Sequence, residues 1–207
     1  MIRKVWVALS AVVMMAGCAS PSVRYYSLAL PAPASAPAVA ARQANYGLRL
    51  QVSEVPAEAD RLQLVVRDLA TGSSVQVLNQ SLWAAPLRDQ IQRGLSAGVA
   101  EALGVSDLDR MQGLSVPVRA VTVRVTRFDL LWGKRAVLEA EWTDRGPGPH
   151  AVRLCRAGVS VPVGAGVAAL VDGQRRALEV LAHVIANQSS VSGSPGKQGI
   201  LYSGCTW

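Results

Sequence analysis

Three cysteines and two histidines are the residues of this chain best able to carry chemistry, and their settings assign them different tasks. Cys18 closes the run Met15-Ala16-Gly17-Cys18, which has the form of a bacterial lipobox. The small pair lets a peptidase reach the backbone, and the Cys18 thiol then carries a diacylglycerol thioether. Two or more acyl chains hold a protein on a membrane where a single one is marginal. Cys155 and Cys205 remain, an even pair in an oxidising compartment. A disulfide between them would staple the C-terminal tail to the strand that carries Cys155, and the placing of Cys205 between Tyr202 and Trp207 suits a tail that docks. The alternative is two unconnected thiols.

Other groups give no reactive constellation. His150 sits in a Gly/Pro loop and His183 on the polar shoulder of a helix, so both read as surface histidines. No His-x-x-x-His or Cys-x-x-Cys spacing offers a metal site, and no serine stands in a Gly-x-Ser-x-Gly elbow. Gly164-x-Gly166-x-x-Ala169 lies between a strand and a helix, but no second unit with a ribose-binding acid follows it, which makes it a turn. Ser194-Pro195-Gly196-Lys197-Gln198 is no P-loop, because Val191 replaces its first glycine and Gln198 the hydroxyl that would hold magnesium. The chain thus presents no catalytic, metal-binding or cofactor-binding set.

The elements that position these residues begin with an export signal. Arg3 and Lys4 form its positive end and Val5 to Met15 its apolar stretch, too short for the ~20 residues a membrane-spanning helix needs. After a short strand at Tyr25-Tyr26-Ser27-Leu28, the Pro/Ala-rich residues 31–44 read as an exposed loop. Tyr46, Leu48, Leu50 and Val52 alternate as a strand, and Leu62, Leu64 and Val66 repeat the period. Thr71-Gly72-Ser73-Ser74 supplies a turn before Val75 and Val77. Pro86 suits the first turn of a helix that carries Leu87, Ile91, Leu95, Val99 and Leu103 at helical spacing and ends at Gly104. Trp83 is placed to cap the core where strand hands over to helix. Val121, Val123 and Val125 form a further strand running to Phe128, turned at Gly133-Lys134 into Ala136, Leu138, Ala140 and Trp142, with Glu139 and Glu141 on the wet face. A strand from Ala151 to Pro162 leads to a helix with Val167, Leu170, Val171, Leu178, Leu181 and Ile185 on one side. Gly173 lowers the propensity of that helix by ~1 kcal/mol relative to alanine. The expectation is an α+β fold, a mostly antiparallel sheet with two main helices on one face.

Several of these segments carry a family resemblance. The R-x-x-x-V-V-R strand from Arg61 to Arg67, Trp83-Ala84-x-Pro86-Leu87, the Ala102-Leu103-Gly104 helix end, Arg127-Phe128, Leu138-x-Ala140-x-Trp142 and the helix string AALVDGQRRALEVLAHVIA are similar to the auxiliary lipoproteins of ABC-type transport, the family of paraquat-inducible protein C. The resemblance covers roughly residues 15–187 and divides the chain into a signal peptide (1–17), a lipidated N-terminus and tether (18–24), an auxiliary lipoprotein domain (25–187) and a C-terminal tail (188–207). Ala19 after the lipidated cysteine lacks the Asp that retains lipoproteins at the inner membrane, so the resemblance implies the outer membrane, facing the periplasm. It further implies a non-enzymatic role in lipid transport, with an MCE-domain protein that spans the periplasm and its inner-membrane subunit as partners. A homo-oligomer, a ring of copies around a spanning tube, would suit that task. Only six residues, Ala19 to Arg24, separate anchor from domain, about 20 Å at full extension. That short reach disfavours a regulatory lipoprotein activating a peptidoglycan synthase through the wall; direct lipid carriage stays open. Loss of Arg3 and Lys4 with the signal leaves 19 basic residues against 14 acidic ones. Nucleic acid is no partner for a lipid-anchored periplasmic chain, and the positive excess suits an anionic membrane surface or scattered solvated arginines. Trp132, beside Gly133 at a hairpin tip, is the aromatic singled out as a partner-interface candidate.

Overall fold

The structure is a computed structural model in which residues 22–29, 45–67, 74–109, 115–148, 152–187 and 199–206 are described. Cys18, Ala19, the 31–44 loop, Thr71-Gly72-Ser73, His150 and the residues 194–198 lie outside them.

The sheet is organised around β6 (Val118–Leu131), whose 14 residues are long enough to serve two strands in succession along one edge. β2 (Gly47–Glu54) runs parallel to its first half, from Gly47 opposite Val118 to Glu54 opposite Arg124. β3 (Gln63–Arg67) meets its far end, with Arg67 opposite Leu131. On the other edge of β6 follow β7 (Arg135–Arg145), β8 (Arg153–Pro162) and β9 (Ile200–Thr206), each antiparallel to the one before. On the β3 side the sheet continues through antiparallel β4 (Val75–Trp83) to β1 (Arg24–Tyr26), which pairs with the end of β4. The short β5 (Ser106–Asp107) adds to β2.

Alternation along the strands decides which face is covered. Leu48, Leu50 and Val52, then Val121, Val123 and Val125, then Leu138, Ala140 and Trp142 are all buried, and residues between them are largely exposed. The two helices, α1 (Leu87–Leu103) and α2 (Val167–Ala186), pack against each other and on this apolar face. Leu87, Ile91, Leu95 and Val99 of α1 meet Leu170, Leu178, Leu181 and Ile185 of α2 in one core. Each fully buried side chain of this size contributes roughly 1.5–3 kcal/mol through removal from water. Close approach is built in by glycine: a methyl group at Gly94 would collide with Leu178 Cδ2, and one at Gly173 with Val163 Cγ1. The helix-propensity cost of Gly173 is therefore the condition for seating α2 on β7, where Ala136 Cβ would lie 3.0 Å from the added methyl.

The α+β class and its two helices are as the sequence predicts, with four corrections of detail. Leu62 is 56% exposed and precedes β3, because the β3–β4 register jumps between Gln63 and Leu64, from Leu82 to Leu78, and breaks the alternation. Val75, at the start of β4, is likewise exposed. Pro86 is the N-cap, with ψ 133°, rather than a residue of the first turn; Gly104 ends α1 in the left-handed region at φ 67°. The tail, set apart from the domain at residue 188, returns as β9 and pairs with β8 from Leu154 to Val159, so its last residues belong to the sheet.

Candidate functional site

The N-terminal segment is the part of the domain nearest in sequence to Cys18, and it is firmly tied down. Leu28 is fully buried and its N–H donates to Gln90 Oε1 of α1 at 2.8 Å. Gln90 Nε2 in turn donates to the Ala85 carbonyl at 2.7 Å, and Arg175 Nη2 of α2 to the Ser27 carbonyl at 3.0 Å. Between these clamps and the anchor position lies β1, held to β4 by Arg24 opposite Ser81 and Tyr26 opposite Trp83. Trp83 is 3% exposed and meets Phe128 edge-on, ring centroids 6.1 Å apart, which closes the core at the strand-to-helix handover.

Trp132 lies at the other end of the same strands. It follows β6 in the turn to β7, where Gly133 adopts φ 60° and the Lys134 N–H donates to the Leu131 carbonyl at 3.0 Å. Its N–H donates to the Arg67 carbonyl at 3.2 Å, so it sits beside the Arg67–Val75 end of the β3–β4 pair. β1 adjoins the Leu82 end, where Gln63 pairs. The two ends are about 13 Å apart along β3, four residues at strand rise. Trp132 is 44% exposed and Val75, across from Arg67, 45%.

At the β8–β9 edge, Cys155 and Cys205 are opposed in register and joined by a disulfide. Beside it, Glu141, Leu154, Arg156, Gly204 and Thr206 line a shallow groove of about 380 Å³. The outer face of the sheet carries a run of linked polar groups. Arg67 bridges Glu58 (3.0 Å) and Asp129 (2.7 Å); Arg127 bridges Asp129 (2.6 Å) and Glu139 (3.1 Å); Tyr202 Oη donates to Glu139 at 2.8 Å. The hydrogen bond to Asp129 pushes the Arg127 guanidinium further up from its ordinary value. Burial, followed by the bond to Glu139, pushes the Tyr202 phenol up to about 12. The Tyr202 ring lies over Gly158, where a Cβ would be 2.7 Å from a ring carbon, and Arg156 faces the ring at 5.9 Å. Arg67–Asp129, Arg127–Glu139 and Tyr202–Glu139 link separate strands, and each has at least one partly solvated partner.

A buried ionic cluster escaped the sequence reading. Asp144, on the core side of β7 two residues after Trp142, receives Arg119 Nε at 3.0 Å, Arg119 Nη2 at 2.9 Å and Arg153 Nη2 at 2.7 Å. Arg119 also donates to the Ile185 carbonyl at 3.1 Å, satisfying an orphan acceptor at the end of α2. The one available signal was Asp144 continuing the alternation of Leu138, Ala140 and Trp142 inward. Among the described residues no group of His, Cys, Asp and Glu could hold a metal ion, and no helix is long and apolar enough to cross a membrane. His183 is exposed at the end of α2.

A mostly antiparallel sheet with two helices on one face, and an N-terminal strand pinned to the sheet edge and clamped by both helices, define the class of this domain as an open-sheet α+β fold. The chain belongs to the family of ABC-type transport auxiliary lipoprotein components, whose profile matches residues 26–186. Membership of that family implies attachment to a membrane of the cell envelope. Among solved structures, the crystal structure of an uncharacterised protein shares 21% identity and a TM-score of 0.61, covering 82% of this chain and 100% of its own. The crystal structure of XCC0632 from Xanthomonas campestris shares 18% identity and a TM-score of 0.56, covering 80% of this chain and 94% of its own. At these identities the likeness is one of fold. Comparison with curated proteins gives no match.

Proposed function

We propose that this chain is a non-enzymatic lipoprotein of the outer membrane, anchored through Cys18 and facing the periplasm, that docks a periplasm-spanning MCE-domain protein of an ABC-type lipid transport system. The observation that carries this reading is the short tether. β1 begins at Arg24, six residues after Cys18, and the segment that follows is clamped by Gln90 and Arg175. A reach of about 20 Å keeps the domain at its membrane, so the transport system must come to it. Ala19 in place of Asp supports sorting to the outer membrane. Trp132, exposed at the sheet end away from β1, supplies an aromatic anchor of the kind that dominates protein interfaces.

Affinity purification of the full-length lipidated protein from gently crosslinked native membranes tests this. The expected co-purifying chains are an MCE-domain protein and its inner-membrane subunit, with recovery reduced by Trp132→Ala. A peptidoglycan synthase, or no partner, overturns the docking role. Cys18→Ala should move the protein from the membrane to the soluble periplasmic fraction; unchanged fractionation sinks the anchor.

A further inference from the structure

Resting on the Cys18 anchor of the proposed function, we propose that the outer face of β1 and of the residue before it is a membrane-contact surface: Val23 and Tyr25 rest in the headgroup region of the bilayer that holds the acyl chains, with Arg24 on the other face of the same edge strand. Tyr25 is 67% exposed and Val23 48%. As residues two apart on an extended segment they share one face, and Tyr25 extends that face from Leu82, its half-buried register partner on β4. β1 is the last strand on its side of the sheet, so its far edge carries no neighbouring strand among the described residues.

Three observations select lipid as the occupant. The first is distance: Val23 is five residues from Cys18, within about 18 Å at full extension and closer for any relaxed tether. The second is chemistry. A tyrosine ring with a polar tip and a small aliphatic neighbour suit the zone where one end of a side chain is apolar and the other wet. Arg24, in the same edge strand, is exposed and enters no ion pair among the described residues, leaving a long guanidinium side chain at that edge available to anionic headgroups. The third is size. The two apolar side chains offer on the order of 200 Å², well below the roughly 800 Å² per partner of a stable protein interface. A chain already tethered needs only a small contact to fix its orientation. Such a seat would direct Trp132, at the opposite end of β3 and β4, away from the bilayer.

The test places the full-length lipidated protein in vesicles of phosphatidylethanolamine and phosphatidylglycerol, with a photoreactive side chain introduced as Tyr25→benzoylphenylalanine or, separately, Trp132→benzoylphenylalanine. After irradiation, mass spectrometry should find lipid adducts at position 25 at no less than tenfold the yield at position 132. Equal yields at the two positions, or adducts at 25 with a second protein chain instead of lipid, overturn the seat while leaving the anchor standing. Protein that fails to sediment with the vesicles overturns the anchor and the seat together. Val23→benzoylphenylalanine repeats the measurement from the same face, and absence of lipid adducts there also overturns it.

Discussion

Replacing Asp144 by alanine should destabilise this fold far more than an ordinary polar truncation. The carboxylate is 1% exposed and accepts three hydrogen bonds from Arg119 and Arg153 at 2.7 to 3.0 Å. Each charge contact at that range has a gross attraction of about 6 kcal/mol at an effective dielectric of 20, most of it offset by stripping water from the charges. The truncation does not simply return that small balance. It leaves the Arg119 guanidinium, 6% exposed, with the Ile185 carbonyl as its remaining acceptor. Breaking one side of a buried pair in this way costs about 3–5 kcal/mol. Arg153, whose side chain is 20% exposed, can turn toward water and so adds little. Urea unfolding of the oxidised protein, followed by fluorescence and circular dichroism, should show the loss as a lower midpoint at unchanged slope. The double variant Arg119→Met/Asp144→Leu removes both charges and should recover to within about 1 kcal/mol of the parent. A loss below about 1 kcal/mol for Asp144→Ala, or a double variant as unstable as the single one, refutes the reasoning.

Gly173→Ala tests packing against propensity. Alanine is favoured within a helix by ~1 kcal/mol, yet its methyl would collide with Val163, and overpacking of about 1–3 kcal/mol should win; a more stable variant rejects the close contact. The Cys155–Cys205 disulfide closes a separation of 50 residues, which in the chain-entropy account is worth about 4 kcal/mol. Cys205→Ser should therefore raise amide exchange in β9 first and lower the unfolding midpoint, and unchanged exchange at the β8–β9 edge counts against the staple. The phenol of Tyr202, held neutral up to about 12, favours the folded state below about pH 10 and loses that contribution as pH climbs through 12. The phenolate absorbance present in the parent and missing from Tyr202→Phe should accordingly rise near pH 12, and a rise at the free-phenol value of about 10 rules out the burial and Glu139 bond together as the setting of this phenol.

Local pattern settled much of this molecule in advance. The period-two runs of Leu48-Leu50-Val52, Val121-Val123-Val125 and Leu138-Ala140-Trp142 fixed strands and their buried side, since a pleated backbone sends alternate side chains to opposite faces. Helical spacing from Leu87 to Val99 and from Leu170 to Ile185 fixed the helices and their inward stripes. The lipobox residues are contiguous, so the candidate anchor could be read without any fold at all. What depends on distant residues meeting was legible only in three dimensions. Arg119, Asp144 and the Ile185 carbonyl come from three elements, and nothing local marks an ionic group as buried. The skip of register between β3 and β4 exposed Leu62, because pairing rather than alternation governs a strand's end. The tail's strand character likewise needed the open edge of β8 to complete its backbone hydrogen bonds. The separation of Tyr25 from Trp132 was a tertiary matter too: it follows from which ends of β3 and β4 the chain uses for β1 and for the β6–β7 turn.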